Sequence, residues 1–143
     1  MKKNEKNLMN GLLSGDRVCL SRLISIVESD PSAISRISRS IKEVPNHAYR
    51  IGMTGPPGAG KSTLTNKIIA RFREKKLKIG VIAVDPSSPF TGGAVLGDRI
   101  RMQEHTLDNE VFIRSIGSRG DFGGLSNSTS AIIKLFDIFG IDR

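Results

Sequence analysis

Eight consecutive residues, Gly55-Pro56-Pro57-Gly58-Ala59-Gly60-Lys61-Ser62, fit the pattern G-x-x-x-x-G-K-[ST]. These types in this order serve one chemical need, the grip on a polyphosphate. Glycines let the main chain wrap closely and take positive φ, so that successive N–H groups converge on phosphate oxygens. A helix beginning behind such a loop adds the positive end of its dipole and its first-turn amides. Lys61 then places an ammonium on the β- and γ-phosphates, Ser62 offers a hydroxyl to Mg²⁺, and Thr63 is placed for the α-phosphate. A plain Gly/Pro turn would require neither Lys nor Ser at those positions. The pattern therefore reads as a nucleotide-binding loop.

Two carboxylates follow. Asp85 closes the apolar run Ile79-Gly80-Val81-Ile82-Ala83-Val84 and precedes Pro86-Ser87-Ser88-Pro89. A carboxylate at the end of a parallel strand faces the ligand crevice and can hold Mg²⁺ directly or through water. Asp-Pro-Ser is also good turn chemistry, and spacing alone does not choose between the two. Thr91-Gly92-Gly93 and Leu96-Gly97-Asp98-Arg99 then form a glycine-rich stretch ending in Asp98, which reads as a switch carboxylate or as a helix N-cap. Arg119, in Gly117-Ser118-Arg119-Gly120, could meet a phosphate or a partner carboxylate; a solvated loop arginine is the plainer reading. Asn66-Lys67 is not the start of a guanine-reading N-K-x-D, because position 69 is Ile and the pair lies inside the loop's helix. His47 and His105 are isolated and suggest neither a metal site nor a triad. Arg71, Arg73, Lys75, Lys76 and Lys78 read as a solvated helix end.

The elements that must position these residues follow from periodicity. Tyr49 to Thr54 is a plausible strand, and a helix from about Lys61 carries Leu64, Ile68, Ile69 and Phe72 on one face. Lys78 to Val84 has the continuous apolar character of a strand buried on both faces of a parallel sheet. Val111-Phe112-Ile113 is a third strand, a short helix is expected around Arg99–His105, and a last helix bears Ala131, Ile132, Leu135, Phe136 and Phe139. Alternating strands and helices imply a three-layer αβα fold with a mostly parallel sheet. Before it, Leu8, Met9, Leu12 and Leu13 share a helical face that Gly15 can end. Asp16 can cap a helix presenting Leu20, Leu23, Ile24 and Val27. Asp30-Pro31 reads as another cap, followed by Ile34, Ile37, Ile41 and Val44 at helical spacing up to Pro45. The expected division is a helical N-terminal layer over residues 1–46 and the N-terminal part of a P-loop domain over 47–143. Phe139-Gly140-Ile141-Asp142 reads as the approach to a further strand, so the domain is expected to be incomplete.

Composition narrows the function classes. The chain has 143 residues, 38% hydrophobic and 25% charged, the profile of one soluble globular domain. No apolar run approaches the ~20 residues of a membrane helix, and no secretory leader pattern is visible. One cysteine, Cys19, permits no internal disulfide, which favours a reducing, cytoplasmic setting. The net charge of +8 divides evenly, +4 in residues 1–50 and +4 in 51–143. Aromatics make up 5% with no Trp, a poor supply for stacking nucleic-acid bases.

Taken together, the motifs resemble the ArgK/MeaB family of P-loop GTPases. The resemblance is carried by the loop from Gly55 to Thr63, Ala83-Val84-Asp85-Pro86-Ser87-Ser88-Pro89, Thr91-Gly92-Gly93, Leu96-Gly97-Asp98-Arg99, Arg101-Met102, Phe112-Ile113-Arg114, Ser118-Arg119-Gly120 and Gly123-Gly124-Leu125-Ser126. It runs from about Gly11 onward. It implies a Mg²⁺-dependent GTPase, cycling between GTP and GDP, that chaperones an adenosylcobalamin-dependent acyl-CoA mutase such as methylmalonyl-CoA mutase. Older descriptions of the family name kinases or ATPases of lysine/arginine/ornithine transport. By resemblance the loop from Gly55 to Thr63 holds the nucleotide, Ser62, Asp85 and Asp98 surround the metal, and Lys61 and Asp98 take part in catalysis. The family pattern continues with a Glu-Thr-Val-Gly-like strand end, an N-K-x-D guanine reader and a C-terminal dimerisation arm, none of which occurs in residues 1–143. Catalysis of phosphoryl transfer is mostly positioning and charge stabilisation, so hydrolysis by these residues alone is expected to be weak. The rival readings are an ATP-using kinase, for which no acceptor site is visible, and a non-catalytic phosphate- or partner-binding fragment.

Overall fold

A computed structural model describes residues 3–39, 48–85, 105, 107–117 and 127–143. Packing divides the chain into two units: residues 1–48 with 125–141, and residues 49–124 with 142–143.

The first unit is helical. α1 (Lys3–Leu13) ends where Gly15 turns the chain at φ 83°. α2 (Arg17–Ser29) is capped as its sequence demands: the Asp16 carboxylate accepts hydrogen bonds from the Val18 and Cys19 amides. Those bonds, and one from the Cys19 thiol, hold the Asp16 carboxyl below the usual carboxylate range. α3 (Ala33–Ser38) is shorter than the spacing of Ile34, Ile37, Ile41 and Val44 suggests; Ile41 and Val44 lie outside the described residues. Asp30, expected as an N-cap, instead ends α2 and braces the turn, accepting from the Ser32 amide and pairing with Arg36 at 3.0 Å. The turn brings Pro31 ahead of the helix start, so the side-chain acceptor sits too early to cap Ala33.

The last helix, α5 (Asn127–Phe139), belongs to this unit by its packing. Sequence reading placed it with the P-loop part. Its apolar face of Ala131, Ile132, Leu135 and Phe136 is buried, and α5 packs on α1 and α2. Asp137 is buried on it and accepts a hydrogen bond from the Ala48 amide at 3.0 Å, within the same unit.

The second unit carries the parallel sheet. β1 (Ile79–Asp85) pairs with β2 (Val111–Gly117) in parallel, from Ile79 opposite Val111 to Asp85 opposite Gly117. α4 (Lys61–Glu74) covers one sheet face, where Ile69, Ile79 and Val111 form the core with Phe72, Leu77, Val81 and Ile113 around it. Among the described residues the sheet has these two strands. Tyr49 to Thr54, expected as a strand, forms no ladder there. The physical reason is visible at its start: the Tyr49 amide donates to the Asp142 carbonyl, not to β1. Asp142 and Arg143 in turn donate to the Lys78 carbonyl, and Gly80 donates to Arg143. Two residues of another segment thus stand between Tyr49 and β1 and hold them apart.

The basic end of α4 is less solvated than its composition suggests. Arg73 donates to Asp108 at 2.8 Å and to the Leu77 carbonyl at 2.7 Å, with its side chain only 21% exposed. Asp108 also accepts from the Glu110 amide, and the Arg73 guanidinium is the main reason its carboxyl is held below the usual range. The pair fastens the end of α4 to the turn that leads into β2. No described helix is long and apolar enough to cross a membrane.

Candidate functional site

The loop at Gly55 is built by backbone conformation. Gly58 and Gly60 sit at φ 78° and 82°, a region that costs an L side chain roughly 1–2 kcal/mol. The Ala59 amide closes a turn onto the Pro56 carbonyl at 3.3 Å. Gly60 is the N-cap of α4, and its carbonyl accepts the first helical bond, from Leu64, at 2.9 Å. A glycine cap supplies no side-chain acceptor, so α4 presents its first turn and the positive end of its dipole without a competing side-chain oxygen from the cap.

Side chains complete the junction. Gly55, Pro56, Pro57, Gly58, Ala59 and Gly60 are exposed, as is Thr63, while Lys61 and Ser62 are half-buried. The Lys61 ammonium folds back over its own loop, donating to the Gly55 carbonyl at 2.8 Å and to the Pro56 carbonyl at 2.9 Å. Thr65 donates from Oγ1 to the Lys61 carbonyl at 2.9 Å, and the same oxygen lies 3.2 Å from Met53 Sδ. This side chain, missed in the sequence reading, ties the segment before the loop to the helix after it. Its signal is faint: a threonine one turn into the helix and a methionine just before the loop.

β1 and β2 end together, Asp85 opposite Gly117. In open parallel sheets the ligand crevice lies beyond this edge. The backbone thus puts Asp85 at the end where the sequence reading wanted it. Its side chain, the whole of Asp98, the segment 86–104 with its expected short helix, the loop 118–124 with Arg119, and His47 lie outside the described residues. His105 is described: its Nε2 stands 3.3 Å from the Asn66 carbonyl on α4, which makes it an anchor of the segment before β2.

The donor set expected around a metal is all oxygen, the hydroxyl of Ser62 and the carboxylates of Asp85 and Asp98. That suits a hard cation such as Mg²⁺, which takes one or two carboxylates and fills its remaining positions with water and phosphate. No group of three His, Cys, Asp or Glu among the described residues could hold a metal by protein ligands alone. Sequence reading also missed Ser115 on β2, whose Oγ is buried with no hydrogen-bond partner among the described residues.

A parallel α/β sheet with a glycine loop leading into a covering helix defines a P-loop protein of the nucleotide-binding α/β class. The profile of one family, methylmalonyl-CoA mutase-associated GTPase MeaB, matches residues 20–143, and the chain belongs to that family. A protein of Pyrococcus horikoshii that is named as a GTPase is 53% identical over 135 residues, covering 94% of this chain and 43% of the relative. The GTPase ArgK of Escherichia coli is 36% identical over 135 residues, covering 92% of this chain and 41% of ArgK. The mouse mitochondrial methylmalonic aciduria type A homolog is 34% identical over 149 residues, covering 94% of this chain and 36% of that protein. The chain spans about two-fifths of the length of the curated relatives it matches.

Proposed function

We propose that this chain contributes the phosphate- and Mg²⁺-binding part of a GTPase that chaperones an adenosylcobalamin-dependent acyl-CoA mutase. The observation that carries the reading is the junction at Gly60 and Lys61: a left-handed glycine cap, a helix start behind it and an ammonium within reach of the same loop. In this reading the amides from Gly55 to Gly60 and the first turn of α4 wrap the phosphates. Lys61 exchanges its two carbonyl partners for β- and γ-phosphate oxygens, and Thr63 serves the α-phosphate. Ser62, Asp85 and Asp98 would hold Mg²⁺, which when bound neutralises charge on the phosphates. Asp98 lies in the glycine-rich stretch expected to answer to the γ-phosphate, and Lys61 steadies the charge that develops there. The family's description names methylmalonyl-CoA mutase, and the mouse relative's name refers to methylmalonic aciduria; both support a mutase partner. The nucleotide part is taken as residues 47–143, apart from α5, and the helical layer as 1–46 with α5 packed on it, in a cytoplasmic protein.

Binding is tested by calorimetric titration of the 143-residue chain with Mg²⁺ and GDP, GTP or ATP. The expected result is binding of each nucleotide, with little preference for guanine, because these residues contain no N-K-x-D reader. Lys61→Ala should weaken GDP binding by roughly tenfold or more, the scale of a charge-assisted hydrogen bond. Hydrolysis of GTP should be slow. Wild-type protein that binds no nucleotide, or Lys61→Ala that binds as well as wild type, would overturn the proposal.

A further inference from the structure

Ser115 is a hydroxyl in an unusual position. Its Oγ is shielded from solvent and finds no hydrogen-bond partner among the described residues. Leaving such a group unsatisfied is costly, and most buried hydroxyls avoid it.

Its location follows from strand and helix geometry. Val111 and Ile113 belong to the core beneath α4, with Ile69 above Val111. Side chains alternate along a strand, so Ser115 shares that face and points to the α4 side of the sheet. Ser115 lies four residues up β2 from Val111, about 13 Å at ~3.3 Å per residue. Ser62 lies seven residues up α4 from Ile69, in the opposite chain direction, about 10 Å at ~1.5 Å per residue. The two hydroxyls therefore stand at nearly the same height. That height is one same-face step below Asp85 and Gly117, where both strands end, since Ser115 is paired with Ala83. By these rises the hydroxyl lies toward the end of the sheet that α4's first turn and the strand end carrying Asp85 share.

We infer that Ser115 is a positioning residue for the hydrated Mg²⁺ of a bound nucleotide, its Oγ pairing with a metal-held water or with an oxygen that the metal draws in. The inference rests on the binding reading above and adds a residue that the loop motif does not contain. It gives the hydroxyl the partner that the described residues do not supply. Ser115 does not ligand the metal in this account; Ser62 and the carboxylates do. It fixes the second layer of oxygen atoms, which steadies the ligands themselves.

The test is calorimetric titration of the 143-residue chain with GDP, in excess Mg²⁺ and in EDTA, for wild type, Ser115→Ala and Ser115→Thr, with thermal melts of each protein free of nucleotide. In Ser115→Ala the gain in GDP affinity on adding Mg²⁺ should shrink roughly tenfold, with affinity in EDTA unchanged. Its nucleotide-free melting temperature should be equal to wild type or higher, because the mutation removes an unsatisfied group. Ser115→Thr, which keeps the hydroxyl, should restore most of the Mg²⁺ gain. If wild type gains affinity with Mg²⁺ and Ser115→Ala gains equally, the inference is wrong while the binding reading stands. If Ser115→Ala loses affinity equally in Mg²⁺ and EDTA and melts lower, Ser115 is merely structural and the inference is wrong. If wild type binds no GDP at all, the binding reading itself fails and takes the inference with it.

Discussion

The two units treat their apolar residues differently. In the helical unit Leu12, Leu20, Leu23, Ile24, Ile132 and Leu135 are at most 1% exposed, and they come from α1, α2 and α5. In the sheet unit Ile69, Ile79, Val111 and Ile116 are at most 4% exposed and Ala83 and Phe112 8%, a smaller set, while Tyr49, Ile51 and Leu64 are left 66%, 49% and 52% exposed, as are Leu13 and Val18 of the helical unit at 57% and 58%. Three amphipathic helices can seal one another, because each has a single stripe to hide. The loop from Gly55 to Gly60 keeps its main chain open to solvent, as the proposed phosphate site would require.

The sharpest way to break this contrast is a pair of truncations. Leu23→Ala in the helical core should cost about 2–5 kcal/mol in urea unfolding, by lost transfer energy and the cavity left behind. Leu64→Ala, on the exposed side of α4, should change stability by no more than about 0.5 kcal/mol. Equal losses at both sites would erase the difference between the units. A smaller effect sharpens how tightly α1 and α2 are packed. Gly11 lies inside α1, where alanine would ordinarily gain about 1 kcal/mol over glycine. A Cβ there would clash with Cys19 Sγ on α2, so Gly11→Ala should be destabilising, by roughly 1–3 kcal/mol in the same assay. Adding Cys19→Ala should recover most of that loss.

The smallest effect is electrostatic and belongs to the sheet unit. Asp108 titrates below its ordinary value because Arg73 and the Glu110 amide favour its charged form. A depressed native value contributes stability above the unfolded-state pKa of about 3.9, and that contribution is lost as pH falls through the lower native value. Asp108→Asn should therefore melt below wild type at pH 6, with a gap that holds down to about pH 5 and closes below about pH 4. A gap that widens in acid would contradict the ion pair.

Much of this was legible in the residues. Gly15 and Asp16 announced the end of α1 and the start of α2, because left-handed turns and N-cap acceptors have narrow residue preferences. The loop from Gly55 to Ser62 announced itself through glycine conformation and the Lys-Ser pair. Asp85 at a strand end followed from six apolar residues before it. What could not be read were relations between segments distant in sequence. The apolar stripe of α5 says that it packs, but not on which partner, and the helices it chose lie about a hundred residues earlier. Arg73 looked like one of five similar cations until Asp108 selected it. The segment from Tyr49 has strand composition, yet a strand is defined by its neighbour, and that neighbour is not written locally. Ser115 is one serine among many; only its height beneath α4 and its lack of a partner among the described residues distinguish it.

The folded-back Lys61 has a consequence for selectivity among anions. Its charge is already shared with two carbonyl oxygens of its own loop. An incoming anion must displace both before it gains the full attraction of the ammonium. A chloride or a lone sulfate offers too few oxygens or too little charge to do this well, whereas a diphosphate can satisfy the lysine and the loop amides together. In the proposed site the lysine's own tether would therefore filter ligands by the length of their phosphate chain before any base is read.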